Sequence, residues 1–131
     1  KEGISPDKIS FICFDHAFLN RLKKRLPAYR AFYLTTFSPQ PGKWPDVRNM
    51  QELEVYIKEA LENGIDGLDM ENSPVIIKDW VQRIHQSGLK IAIWSYGRDD
   101  TLENARRYND IGIDFLTTNM PALILKMPGQ A

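Results

Sequence analysis

Five times along this chain a short apolar run gives way to a stretch with helical spacing, and that alternation limits the fold more than any single residue does. The apolar runs are ISFICFD (9–15), RAFYLTT (30–36), IDGLDME (65–71), LKIAIWSYG (89–97) and IDFLTTN (113–119). Strands are predicted near 9–14, 31–35, 66–70, 90–94 and 114–118. Between them lie helical stretches. Residues 16–26 repeat Ala17, Leu19, Leu22 and Leu26 until Pro27 stops them. Residues 50–64 place Leu53, Ile57, Ala60 and Leu61 on one side and end at Gly64. Ser73 and Pro74 suit a helix start, which predicts a helix over 73–88 closed by Gly88. A fourth helix is predicted over 99–112, closed by Gly112, and a short final one over 121–127, opened by Pro121. The segment FSPQPGKWPD (37–46), with three prolines and a glycine, reads as a long loop.

Strand–helix alternation with short connections implies parallel strands, because a parallel neighbour is reached only through a crossover. The strands read as continuous apolar runs, as expected where both faces are covered. Two α/β architectures fit: an open doubly wound sheet of five strands, or five strand–helix units of an eight-stranded barrel, which normally needs about 250 residues. The chain has 131, so one domain over 1–131 is expected. In either architecture the ligand site lies just past the strand C-termini. Here those positions are Phe14–Asp15–His16, Thr35–Thr36, Asp69–Glu71, Trp94–Tyr96 and Thr117–Asn119.

Composition narrows the function classes. Seventeen basic residues balance seventeen acidic ones, which gives no electrostatic reason to expect nucleic acid as a partner. Cys13 is the single cysteine, so an intrachain disulfide and a Cys-based metal cluster are excluded. No apolar run is long enough to span a bilayer, and KEGISPDK is not a signal peptide. The compartment is not legible in the chain. A start in a polar turn directly before a strand reads as a piece of something longer.

Among the candidate side chains, Asp15 reads as a helix cap and His16 as a first-turn residue, not as an acid/base pair. Asp69 and Glu71 lie two apart on a strand and share a face, and paired carboxylates suit a hard divalent cation, although such pairs also occur on solvated rims. His85 reads as solvent-facing. Trp94 is either strand core or the wall of a pocket, with Tyr96 two residues on. The chain contains no glycine-rich phosphate loop, Ser/His/Asp set or Cys/His cluster.

Two segments carry a family resemblance. SFICFDHAFLNRLKKRLPAYRAFYLT resembles a strand ending in Ser-Phe-Asp/Asn, a helix and a strand ending near Tyr-Leu-Thr in the glycerophosphodiester phosphodiesterases. GLKIAIWSYGRDDTLENARRYNDIGIDFLTTNMPALI resembles the family's GLKVxVWTVNDPExMxxLxxLGVDGIITDxPxLL. Phe14, Asp15, Trp94, Thr118 and Pro121 match. Cys13 stands where the family usually has serine, Ser95 for threonine, Gly97 for asparagine and Asn119 for aspartate.

The resemblance runs from about residue 8 to 125 and implies the C-terminal five units of a TIM-type (β/α)8 barrel. It implies a phosphoric diester hydrolase that converts a glycerophosphodiester and water to an alcohol and glycerol 3-phosphate. Trp94 would line the substrate pocket, with Phe14 and Tyr96 as further substrate-binding candidates. The family's His-Arg-Gly, Glu-x-Asp, His-Asp and Glu-x-Lys motifs, which hold a divalent metal (Mg or Ca) and supply acid and base, do not occur here. No catalytic or metal-ligating role is therefore carried over to this chain, Asp69 and Glu71 included. The expectation is a substrate-side wall, inactive alone, whose partner is the N-terminal half of the barrel or a second copy. The alternative is a non-catalytic α/β module that binds a small molecule or self-associates through its open edges.

Overall fold

The computed structural model describes residues 5–37, 44–95, 97–119 and 121. After a 3₁₀ turn at Pro6–Lys8, strands and helices alternate as the sequence predicts. They are β1 (Ser10–Cys13), α1 (His16–Arg25), β2 (Arg30–Thr35), α2 (Met50–Glu62) and β3 (Gly67–Glu71), followed by α3 (Lys78–Gln86), β4 (Lys90–Trp94), α4 (Leu102–Ile111) and β5 (Phe115–Leu116). The five strands form one sheet in the order β1-β2-β3-β4-β5, every neighbouring pair parallel. A doubly wound sheet reverses its strand order at a switch point, whereas a barrel keeps sequence order. The sheet is therefore a half-barrel.

Side-chain alternation divides the sheet into two faces. Outward, Ala31 and Tyr33 of β2, Leu68 and Met70 of β3, and Ile91 and Ile93 of β4 join the core with Leu19, Leu53, Ile57, Val81, Ile84 and Tyr108 of the helices. Each large aliphatic side chain buried there contributes roughly 1.5–3 kcal/mol. The helices turn toward this layer through their spacing: Leu53, Ile57 and Ala60 on α2, and Trp80, Val81 and Ile84 on α3. Inward, at the base of the lumen, the Phe32 ring lies edge-on to Phe115 (5.7 Å), whose ring also carries the Arg30 guanidinium at 5.3 Å. Gly67 is required at this level. A Cβ there would stand 2.4 Å from the Lys90 carbonyl oxygen and 2.7 Å from Phe32 Cε2.

Caps set the helix starts. The Asp15 carboxylate accepts the Phe18 N–H (3.0 Å), as the sequence reading expects. Asn49 accepts the Glu52 N–H (2.9 Å) while Glu52 accepts the Arg48 N–H (2.7 Å). Two boundaries differ from expectation. The helix predicted from Ser73 begins at Lys78. Residues 73–77 form a turn in which Ser73 Oγ accepts the Val75 N–H and the Ile76 N–H bonds the Ser73 carbonyl. Arg107, from α4, donates to the Ile76 and Ser73 carbonyls and locks that turn. The helix predicted from residue 99 begins at Leu102, capped by Thr101, because Gly97–Asp99 form a 3₁₀ turn. β5 covers only two residues, although the Thr117 N–H still reaches the Ile93 carbonyl at 2.9 Å. The final helix predicted over 121–127 lies outside the described residues, apart from residue 121. Among the described residues no helix is long and apolar enough to cross a membrane.

Candidate functional site

At the C-terminal end of the half-barrel lumen a cavity of ≈ 220 Å³ is lined by Ile12, Phe14, Leu34, Asp69, Trp94 and Thr117. A second cavity of ≈ 190 Å³ continues toward the base and shares Ile12, Asp69 and Thr117 with the first. All five strands contribute, each by an inward residue or, for Phe14 and Thr117, by the position just past the strand. This is where a parallel α/β fold exposes side chains unconstrained by its helices.

The wall is aromatic. Phe14 meets Trp94 edge-on, with ring centroids 6.1 Å apart, and meets Trp44 at 5.2 Å. Trp94 is held by a hydrogen bond from its indole Nε1 to the Thr35 carbonyl (3.2 Å) and by its own carbonyl, which accepts the Asn72 N–H (2.8 Å). The sequence left Trp94 between core and pocket wall. The ring is half-buried and borders the cavity, so its surroundings are those of a wall. Phe14 borders the same cavity. Tyr96 lies outside the described residues.

Asp69 and Glu71 do share the inward face, but their surroundings diverge. Glu71 is half-buried and its Oε1 accepts the Phe37 N–H at 2.8 Å. Asp69 is 3% exposed and its Oδ1 has no hydrogen-bond partner. Desolvation in this apolar setting pushes its carboxyl up to about 7. Among the described residues no group of three or more His, Cys, Asp or Glu side chains is placed to hold a metal ion. The pair therefore lacks the ligand number a divalent site needs.

The histidines sit elsewhere. His16 is buried on the outer side of the sheet, stacked on Tyr33 at 3.9 Å, with Nε2 donating to the Leu34 carbonyl at 3.0 Å. Burial lowers its pKa, and its place away from the lumen accounts for it as a packing residue. His85 is exposed, as expected, but pairs with Asp114 through Nε2 at 2.8 Å. At the rim, Asp100 accepts the Thr118 hydroxyl (2.8 Å) and the Asn119 N–H (2.6 Å), tying the end of β5 to the segment before α4.

Sequence reasoning did not single out Trp44, which comes from the proline-rich loop, or the isolation of Asp69. The alternation pattern offers no signal for the first, because loop residues have no period. For the second a partial signal exists: Leu34 and Ala92, directly alongside Asp69 on β2 and β4, are uncharged, while Arg30 and Lys90 of the same face stand nearer the base.

Comparison with known proteins agrees with this geometry. A solved structure of a "putative glycerophosphodiester phosphodiesterase" from Galdieria sulphuraria superposes with a TM-score of 0.71 at 21% identity, covering 92% of this chain and 43% of that one. A glycerophosphoryl diester phosphodiesterase, assigned with the same qualifier, from Silicibacter pomeroyi DSS-3 gives 0.67 at 18% identity, with 88% and 35% covered. The chain thus spans less than half the length of these two proteins, and at such identities they establish the fold. No curated protein matches the chain. The model of the glycerophosphoryl diester phosphodiesterase family matches residues 2–123. The chain belongs to that family.

Proposed function

We propose that this chain forms the substrate-side wall of a phosphoric diester hydrolase that splits glycerophosphodiesters into an alcohol and glycerol 3-phosphate. The observation that supports it is the cavity at the strand ends, walled by Phe14 and Trp94, in a chain of this family. In this reading Phe14 and Trp94 pack against the carbon skeleton of the substrate. They also keep water from the phosphate, so that charge stabilisation at the reacting oxygens is not weakened by solvent. The Thr35 carbonyl fixes the indole from behind, which keeps the wall in place when the cavity fills.

A divalent ion, Mg or Ca, is expected to polarise the phosphoryl oxygen. Asp69 and Glu71 do not fit as its ligand set, for the reasons of number and partner given above. Its ligands, and the groups that move protons, are proposed to lie on strands outside residues 1–131. This chain alone then contributes binding and water exclusion and no bond cleavage.

Trp94→Ala in the complete hydrolase tests the reading. A wall residue predicts kcat/KM lower by on the order of tenfold to a hundredfold, because the substrate loses its alignment, with a melting temperature close to that of the parent. A core residue instead predicts a loss of about 3–5 kcal/mol of stability and normal turnover in the folded fraction. That second result would refute the assignment. Absence of any diester turnover by the unaltered complete protein would refute the hydrolase itself and leave a binding module.

A further inference from the structure

Trp94 is the last residue of β4, and its main chain is held from α4, a helix that lines neither cavity. On the β5 side the ladder stops one residue earlier, where the Thr117 N–H reaches the Ile93 carbonyl. On the β3 side the Trp94 carbonyl accepts the Asn72 N–H at 2.8 Å. Asn72 lies just past the end of β3, where a ladder opens most readily. Its side chain opposes that opening. Asn72 Oδ1 accepts the Tyr108 hydroxyl, and Arg107 Nη2 approaches it at 3.4 Å. The same Tyr108 oxygen accepts the N–H of the next residue, Ser73, at 3.0 Å. From one helix, α4 fixes two successive residues beyond β3, and through the first of them the end of β4.

Packing alone does not require this arrangement. Tyr108 is fully buried, and a phenylalanine would fill the same layer without a polar tip to satisfy. The Arg107 guanidinium lies over the Tyr108 ring at 4.1 Å and directs its hydrogen bonds to the Ser73 and Ile76 carbonyls. A buried polar network is costly unless every member is satisfied, and once satisfied it holds a single geometry. What this network holds lies beside the pocket. The Trp94 indole is set from β2 by its bond to the Thr35 carbonyl (3.2 Å), and its backbone is set from α4.

We propose that Asn72 and Tyr108 are positioning residues for the cavity wall: they fix the Trp94 backbone, and with it the angle at which the indole borders the cavity. The inference rests on the hydrolase reading for its effect on turnover. With the strand end loosened, the indole would meet the substrate in several orientations. A misplacement of about 1 Å costs on the order of a hundredfold in rate even when the substitution lies far from the chemistry.

Four variants separate positioning from plain stability. Tyr108→Phe keeps the ring and removes the hydroxyl, and Asn72→Ala removes the acceptor. Asn72→Asp keeps an oxygen at Oδ1. Tyr33→Phe removes a buried hydroxyl outside this network, one that bonds Asn20 at 2.5 Å on the α1 side of the sheet. The chain is labelled with 5-fluorotryptophan, and the Trp94 fluorine resonance is identified by its loss in Trp94→Phe. That resonance is expected to shift or broaden in Tyr108→Phe and Asn72→Ala, and to keep its parent position in Asn72→Asp and Tyr33→Phe. Circular dichroism and urea melts confirm that each variant is folded, and either of the first two, folded, decides the matter. In the complete hydrolase, Tyr108→Phe should lower kcat/KM by about tenfold. It should have no further effect once Trp94 is replaced by alanine, because it acts through the indole. A Trp94 resonance unmoved in the first two variants, or moved as far in Asn72→Asp or Tyr33→Phe, overturns the positioning role. So does a full additional loss of kcat/KM on top of Trp94→Ala. The expected resonance shifts in a complete protein that turns over no diester would support the positioning and remove the hydrolase.

Discussion

Replacing Asp69 by asparagine should make the protein more stable at neutral pH, which is an uncommon outcome for a substitution so deep in a fold. The carboxyl ionises near 3.8 in an ordinary environment and is pushed up to about 7 by burial. Between those values the folded chain holds a proton that the unfolded chain has released. Stability therefore falls as pH rises through that window, and the penalty is constant above about 7. At roughly 1.4 kcal/mol per pKa unit, the shift from 3.8 to about 7 is worth about 4 kcal/mol. Local relaxation and water entry reduce this, so about 2–4 kcal/mol is the expected gain for Asp69→Asn at pH 8. Near pH 4 the two proteins should be nearly equal. Urea unfolding of both at pH 4.5, 6, 7 and 8 measures the difference directly. Comparing them cancels the other titrations, including that of His16. A difference that stays flat across this range would refute the account of Asp69 as a desolvated carboxyl without partners.

Three further outcomes follow from contacts described above. Gly67→Ala forces a Cβ to within 2.4 Å of the Lys90 carbonyl oxygen, a backbone atom that cannot move aside, so urea denaturation should show a loss of about 1–3 kcal/mol. An unchanged midpoint would contradict it. Tyr108→Phe removes the hydroxyl that accepts the buried Ser73 N–H at 3.0 Å and bonds Asn72. The orphaned donor should cost about 1–3 kcal/mol, measured in the same way and absent if water replaces the hydroxyl. Residues 1–131 alone should turn over no glycerophosphodiester with either Mg²⁺ or Ca²⁺ added, and metal-dependent release of glycerol 3-phosphate would disprove it.

The strand positions were open to sequence reasoning because apolar runs, helical spacing and glycine stops are local signals. Those signals fit a doubly wound sheet and a barrel segment equally, and the family resemblance pointed to the barrel order. The start of α3 was not legible. Ser73 and Pro74 have the right chemistry for a helix start, but Arg107 and Tyr108, more than thirty residues on, hold that stretch as a turn. No spacing rule reaches across that distance. At the site, Trp94 and Phe14 could be placed from strand ends and resemblance. Asp69 could be paired with Glu71 by period but not distinguished from it. That distinction comes from the neighbouring strands, whose inward side chains only the register brings alongside.

The ladders between strands also set the mechanics of the lumen. β3 is clamped on both sides, by four paired residues to β2 and five to β4, whereas β5 joins β4 through two. Asp69 and Trp94 thus belong to the stiffest part of the sheet, while Thr117 rides on its most compliant strand and is anchored beyond it by the Asp100 contacts. A molecule entering the groove would meet a fixed wall on one side and a yielding one on the other. Differences in its bulk would be absorbed at Thr117, and the distance between Asp69 and the aromatic wall would stay the same.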